Sequence, residues 1–224
     1  MIRLYLNLLL VEATLNQTQI LEPLSSLGPI VELDFKINAS RFEAEMTQLE
    51  ARWRPYNLRK KISRFGLSLT SLNGEIEGNP DLDSLTEYNF ENHTNFVEKD
   101  FSKLTDSAFK LLTLQPLFKF FENNLGRSHL IRLNAGGHFP PHRDAYINPT
   151  CFRIFAACSN CEDDQFVFLI NKTRVQIRPW QVYFIDTRLE HSVFSFCDNS
   201  VQLVLNIFLN EKTVLDVLKK VKIK

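Results

Sequence analysis

The chain has 224 residues, of which 44% are hydrophobic and 23% charged, with 19 Phe; it can bury a sizeable core and lacks the composition of a disordered protein. Lys plus Arg and Asp plus Glu each total 26, which removes any general attraction to phosphate backbones or anionic membranes, so no nucleic-acid partner is expected. The apolar run from Leu6 to Val11 is too short to span a bilayer and has no signal-like flanks, so no membrane partner is expected and the chain is read as intracellular, soluble and cytoplasmic.

Met1 to Val11 reads as a buried strand. Ser40 opens a helix running to about Ala51, because Glu43 completes a capping box and Phe42, Met46 and Leu49 recur at helical spacing. Arg52 to Lys61 (RWRPYNLRKK) is a basic, aromatic-bearing loop, and the alternation from Phe65 to Leu72 predicts a half-buried strand that ends at Asn73-Gly74. Gly78 to Thr94 is polar, with few apolar anchors, and reads as a long surface connection of the kind that often carries function. Asp106 is placed to cap a helical stretch through Phe109, Leu112, Leu117 and Phe121 that stops at Gly126 and is kinked or divided at Pro116.

From Leu130 the pattern changes to short β-rich runs: Leu130 to Leu133, Phe152 to Ala157, Phe166 to Ile170, Arg174 to Ile177, Gln181 to Ile185, Ser192 to Phe196 and Val201 to Leu209. Such a series builds a sandwich or barrel. Turns are expected at Asn171-Lys172, Arg178-Pro179 and Asp198-Asn199, and a C-terminal helix from Glu211 to Lys220 carries lysines at its end, where they complement the helix dipole. The four cysteines, Cys151, Cys158, Cys161 and Cys197, read as reduced thiols. Cys158 and Cys161 have the spacing of half a zinc site, but no second closely spaced pair accompanies them, so a buried or turn role is expected.

One constellation carries chemistry. His142 and Asp144 sit in Pro140-Pro141-His142-Arg143-Asp144, and His191 follows His142 by 49 residues at the start of another expected strand. On an extended chain residues i and i+2 project to one face, so His142 and Asp144 can reach one ion while His191 reaches it from a second strand. Two imidazoles and a carboxylate leave positions open for substrate and oxygen, the arrangement that selects non-haem iron(II) in oxygenases.

The stretch from His129 to Ile207, including LIRLNAGGHFPPHRD, FRIF, RPWQVYFIDTRLEHSV and VQLVLNI, resembles the aspartyl/asparaginyl β-hydroxylase-like branch of the iron(II)/2-oxoglutarate-dependent dioxygenases, a branch that also includes free-proline hydroxylases. Upstream, GLSLTSLNG and PDLDSLTEYN are more loosely similar to segments preceding the barrel in phage-borne and bacterial members. The resemblance implies an α+β, mainly β fold: a double-stranded β-helix (jelly-roll, cupin-like) barrel with N-terminal helices packed on it. It implies one dioxygenase domain over 1–224, with a support region over 1–127, the core β-helix over 128–209 and a C-terminal helix over 210–224. His142, Asp144 and His191 would be the iron ligands, with 2-oxoglutarate as cosubstrate and O2 as oxidant. The carboxylate of Asp144 favours hydroxylation over halogenation, and the substrate would be an amino acid, free or within a peptide.

Other members hold the distal carboxylate of 2-oxoglutarate with an Arg about ten residues beyond the second His, a region where this chain has Ser200, Val201 and Gln202. A carboxylate brought into a barrel needs a cation or hydrogen-bond donors. Arg153, within Cys151 to Phe155, is the first candidate, Arg132 the second, and Gln202 or Ser200 could add a neutral hydrogen bond. Arg143, Tyr146 and the RWRPYN loop are candidates for substrate contact. Two alternatives stay open: a cupin-like metal enzyme that does not use 2-oxoglutarate, and a barrel that binds a ligand without turnover.

Overall fold

The computed structural model describes residues 16–76, 80–144 and 149–222; the strand read at Met1 to Val11 lies outside them. Ten elements precede the β-rich half: α1 (Gln17–Ser25), β1 (Ile30–Lys36), α2 (Ala39–Thr47), β2 (Arg54–Pro55), β3 (Arg64–Ser68), β4 (Thr70–Ser71), α3 (Leu85–Asn92), β5 (Lys103–Leu104), α4 (Asp106–Lys110) and α5 (Gln115–Phe120). Eight strands follow: β6 (His129–Leu133), β7 (His138–His142), β8 (Cys151–Ala157), β9 (Phe166–Ile170), β10 (Thr173–Val175), β11 (Gln181–Ile185), β12 (His191–Ser195) and β13 (Ser200–Phe208). Helix α6 (Glu211–Leu218) closes the series.

A seven-stranded sheet has the order β1-β11-β8-β13-β6-β3-β2, and a four-stranded sheet the order β10-β9-β12-β7. From β6 to β13 the chain alternates between the two sheets apart from the β9–β10 hairpin, and this winding is the jelly-roll, double-stranded β-helix barrel. The small β4–β5 pair stands apart. Every strand pairing is antiparallel, so one face of each strand can pack while the other serves a different environment.

The seven-stranded sheet is covered on both faces. On its outer face, Phe152, Ile154, Ala156, Leu203, Leu205 and Ile207 join Leu21 and Leu24 of α1, Phe42 of α2, Leu117 and Phe118 of α5, and Val214 and Val217 of α6 in one apolar core. The residues between them on the same strands point into the barrel, where Phe155, Ala157 and Val204 meet Phe166, Phe168 and Val193 of the smaller sheet. This is why β13 reads as an almost continuous apolar run: eight of its nine residues are buried.

The β9–β10 hairpin turns on Asn171 and Lys172, both with positive φ, as a two-residue turn between right-twisted strands requires. Other boundaries differ from expectation. Asn38, rather than Ser40, caps α2 by accepting from the Arg41 amide, and the helix ends at Thr47 before a separate short turn. Thr105, rather than Asp106, caps α4, and Pro116 lies in the first turn of α5, where its missing N–H costs nothing.

The polar segment before Thr94 contains α3, which has no buried residue and therefore no apolar stripe to read. Ion pairs hold it down: Lys60 meets Glu87, and Arg59 bridges Glu91 and the buried Asp83. Strands β1 and β7 also escaped the pattern, β7 because its sequence is HFPPH; the prolines are tolerated because β7 is the edge of its sheet. Among the described residues no helix is long and apolar enough to cross a membrane.

One buried ion pair ties α1 to the barrel. Arg188 grips Asp186 through Nε at 2.8 Å and Nη2 at 2.6 Å and also donates to the Ser25 hydroxyl of α1. Burial alone would raise the Asp186 pKa, but Arg188 and Ser25 more than offset it and hold the carboxyl below its ordinary value. A carboxyl lowered on folding contributes stability that is complete above its unfolded value, near 3.8, and lost as pH falls through the folded value. Asp186→Asn should therefore cost about 1–3 kcal/mol at pH 7 in urea titrations. The cost should shrink as pH falls from 3.8 through the folded value, and a cost that does not change with acidification would contradict the ion-pair account.

Candidate metal centre and cavity

The pairing of β7 with β12 places His142 directly opposite His191, with an irregularity in the ladder between His191 and Val193. The two imidazole rings lie 4.2 Å apart between centroids. Just past β7, the Asp144 amide donates to the Thr187 carbonyl at 2.9 Å, which draws the chain toward the loop ahead of β12 and brings the Asp144 carboxylate to the same point. The sequence spacing thus becomes a cluster through one strand register and one backbone hydrogen bond.

Each imidazole is oriented from behind. His142 Nδ1 donates to the Pro140 carbonyl at 2.7 Å, and His191 Nδ1 to the Leu189 carbonyl at 3.0 Å. A carbonyl can only accept, so both Nδ1 atoms carry hydrogen and both Nε2 atoms are left with a lone pair in the neutral form. Those Nε2 atoms stand 3.8 and 3.9 Å from the Asp144 carboxylate oxygens.

His191 is buried, and burial lowers its pKa to about 4 against the opposing pull of Asp144, with His142 and Arg153 lowering it further. It is neutral, and so able to ligate, at neutral pH. Burial would raise the Asp144 pKa, but Arg153, His191 and His142 together hold it below its ordinary value. Arg153 Nη2 lies 3.0 Å from Asp144 Oδ2, yet without hydrogen-bond geometry, so among the described residues this buried oxygen has no hydrogen-bond donor.

A buried carboxylate oxygen without a donor beside two imidazole lone pairs fits a divalent cation, and the ligand atoms of all three residues lie within 4.8 Å of one another. Among the described residues no cysteine joins such a group. Cys158 and Cys161 are buried free thiols whose pKa values burial pushes up, in keeping with the packing role expected of them.

The cluster lies on the wall of a cavity of about 680 Å³ between the two sheets. Arg153 and Gln202 also line it, two inward-facing rows apart: Arg153 is level with Asn206, Gln202 is level with Ala157 and Ile131, and the row of Phe155, Val204 and His129 lies between them. Gln202 is 2% exposed and its amide nitrogen has no partner among the described residues. Arg132 is not brought to this cavity. It projects from the opposite face of β6, stacks on Trp53 and Phe65, and pairs with Glu50 at 2.6 Å. The reason is strand alternation: Ile131 and Leu133 face inward, so Arg132 cannot.

Of the candidates for substrate contact, Arg143, Tyr56 and Asn57 line the cavity, Trp53 lies behind the sheet, and Tyr146 falls outside the described residues. Sequence reasoning missed Arg64 and His129, which also line it. His129 is buried, and burial, with Arg127 and Arg153, keeps its pKa well below the ordinary value. Both residues share the inward period of Gly66, Ser68 and Ile131, a signal visible once β3 is known to start at Arg64 and to pair with β6.

No protein-family model and no curated protein matches the chain. Solved structures are similar in fold. An oxidoreductase of the 2OG-Fe(II) oxygenase family from Burkholderia pseudomallei superposes with a TM-score of 0.51 at 15% identity, covering 88% of this chain and 92% of that one. A prolyl hydroxylase in complex with a hypoxia inducible factor oxygen degradation domain peptide fragment, from Trichoplax adhaerens, also superposes with a TM-score of 0.51, at 10% identity over 88% and 91% of the two chains. At such identities the likeness is one of fold.

Removing a ligand should cost more than the roughly 10–100-fold loss of metal affinity typical of an outer partner. Calorimetry with Mn(II) should therefore show binding abolished in His142→Ala and Asp144→Ala and unchanged in Arg132→Gln. Equal affinity in all three variants would separate the cluster from the metal.

Proposed function

We propose that the protein is a non-haem iron(II)- and 2-oxoglutarate-dependent dioxygenase that hydroxylates an amino acid, free or as a residue of a peptide or protein. The observation that carries this reading is the convergence of two imidazole Nε2 atoms and one carboxylate on the wall of a jelly-roll cavity, with both rings oriented through their Nδ1 atoms. Iron held there would supply oxygen activation coupled to oxidation of 2-oxoglutarate, chemistry that belongs to the cofactor.

The chain's own residues bind, orient and exclude water. His142, Asp144 and His191 hold the metal. Arg153 fixes the Asp144 carboxylate and presents a guanidinium beside the metal position, where it meets the cosubstrate. Phe155, Phe168 and Val193 form an apolar wall next to these groups, which keeps water from the reacting centre. The motifs around His142 and His191 favour the aspartyl/asparaginyl β-hydroxylase-like branch within this class. The peptide held by the Trichoplax prolyl hydroxylase supports an amino-acid residue as the class of substrate.

Aerobic incubation with iron(II) and 2-oxoglutarate should yield succinate above a protein-free control, and Asp144→Ala should abolish it. Arg153→Met should weaken 2-oxoglutarate binding by about 1.5–3 kcal/mol, roughly 10- to 150-fold, as loss of a hydrogen bond to a charged group does. No succinate together with no calorimetric binding of 2-oxoglutarate would overturn the reading in favour of a cupin-like metal enzyme or a non-catalytic barrel.

A further inference from the structure

Arg64 is 5% exposed, and among the described residues no carboxylate lies within ion-pair distance of it. Its Nε has no hydrogen-bond acceptor among those residues. Four other arginines at or near the barrel differ: Arg153 has Asp144, Arg127 has Glu98, Arg188 has Asp186 and Arg132 has Glu50. The Arg64 guanidinium instead lies over the Phe139 ring at 4.5 Å and the Tyr56 ring at 5.5 Å. Aromatic faces moderate the burial of a cation but do not neutralise it. A buried, unpaired charge is costly, and a chain that retains one on a cavity wall has a place for an anion.

A second unpartnered group faces the same space. The Gln202 amide nitrogen has no acceptor, and the sheet register relates the two residues: Arg64 is level with Leu133 and Ser200, and Gln202 is level with Ile131 and Gly66. The two side chains thus stand one inward-facing row and two strands apart.

Distance bounds what they would hold. The Arg64 guanidinium carbon is 4.5 Å from the Phe139 ring centre, which is 6.4 Å from the His142 ring centre, so the guanidinium lies within about 11 Å of a metal-ligating ring. A five-carbon diacid spans roughly 5 Å between its end carbons. Adding about 2 Å for a metal bond and about 3 Å for a hydrogen bond gives a reach of about 10 Å, which fits within that upper limit.

We propose that Arg64 and the Gln202 amide form a carboxylate subsite at the far end of the cavity from the metal centre, taking the distal carboxylate of 2-oxoglutarate. Strand β3, which lies outside the eight strands of the barrel, thereby supplies the cation missing from the strand after His191. The assignment rests on the reading of the chain as 2-oxoglutarate-dependent. It divides the work between two arginines: Arg153 acts beside the metal and Arg64 at the other end of the cosubstrate.

The test is calorimetry with Mn(II) in place of iron, comparing 2-oxoglutarate with 2-oxobutyrate, which lacks the distal carboxylate. Wild type should prefer 2-oxoglutarate. Arg64→Met should lose roughly 10- to 100-fold in 2-oxoglutarate affinity while keeping its affinity for 2-oxobutyrate and Mn(II), so that the preference collapses. Arg64→Lys should recover part of it, and Gln202→Leu should show a smaller loss of the same kind.

Because the cation is unpaired without ligand, Arg64→Met should melt no lower than wild type in the absence of ligand and should lose the rise in melting temperature that 2-oxoglutarate gives. A purely structural arginine would lower the melting temperature and leave the preference between the two acids intact. If wild type binds 2-oxoglutarate and both Arg64→Met and Gln202→Leu keep the preference, the subsite is wrong and the dioxygenase reading stands. If wild type binds no 2-oxoglutarate, both fall.

Discussion

The register between β7 and β12 is the constraint on which the site depends. Side chains alternate along a strand, so a slip of one residue would send His191 to the opposite face and leave His142 facing a serine. The register is held from both sides. The β9–β12 ladder aligns five consecutive pairs, and Gly136 and Gly137 exchange hydrogen bonds with Ser195 at the far end of the hairpin-like pair. Gly137 is required there, because a Cβ would approach the Ser63 carbonyl oxygen to 2.6 Å. The cluster of His142, Asp144 and His191 is therefore a product of sheet pairing, with its members on or just past strands whose positions the rest of the barrel enforces.

The second organising feature is the division of the seven-stranded sheet into two chemical faces. Its outer face is packed by helices and is apolar almost throughout, apart from Arg132 at its margin. Because that face supplies a large core, the inner face is free to carry groups that oppose burial: Arg153, Asn206, Gln202 and His129 alternate with the outer residues on β8, β13 and β6. Stability and function use alternate residues of the same strands. The N-terminal elements contribute to both, since α1 and α2 pack on the outer face while β3 widens the inner one.

Within the cavity the charges fall into two groups. Asp144 with Arg153, Asp186 with Arg188 and Glu98 with Arg127 are compensated by partners in the chain, and they set the shape of the wall. Asp144 Oδ2, the Gln202 amide nitrogen, Arg64 Nε, Asn57 Oδ1 and His129 Nδ1 have no hydrogen-bond partner among the described residues. Buried polar atoms without partners are few in folded proteins, and five on residues around one cavity mark it as a polar space that a ligand would complete.

The amino-acid pattern alone marks the β-rich second half, six of whose strands it locates within one residue at each end, and the three residues that converge at the candidate metal centre. These were legible because alternation, turn chemistry and the H-x-D spacing are local properties of the chain. It could not show that α3, with no apolar stripe, is a helix, or that HFPPH is an edge strand. Nor could it separate Arg132 from Arg153, since which face of a strand looks inward is set by the sheets and helices packed around it. Only the tertiary structure turned Arg132 outward, set His191 against His142, and brought Arg64 into the cavity from a strand 78 residues before His142. Pairing between distant strands decides those contacts, and no local pattern records it.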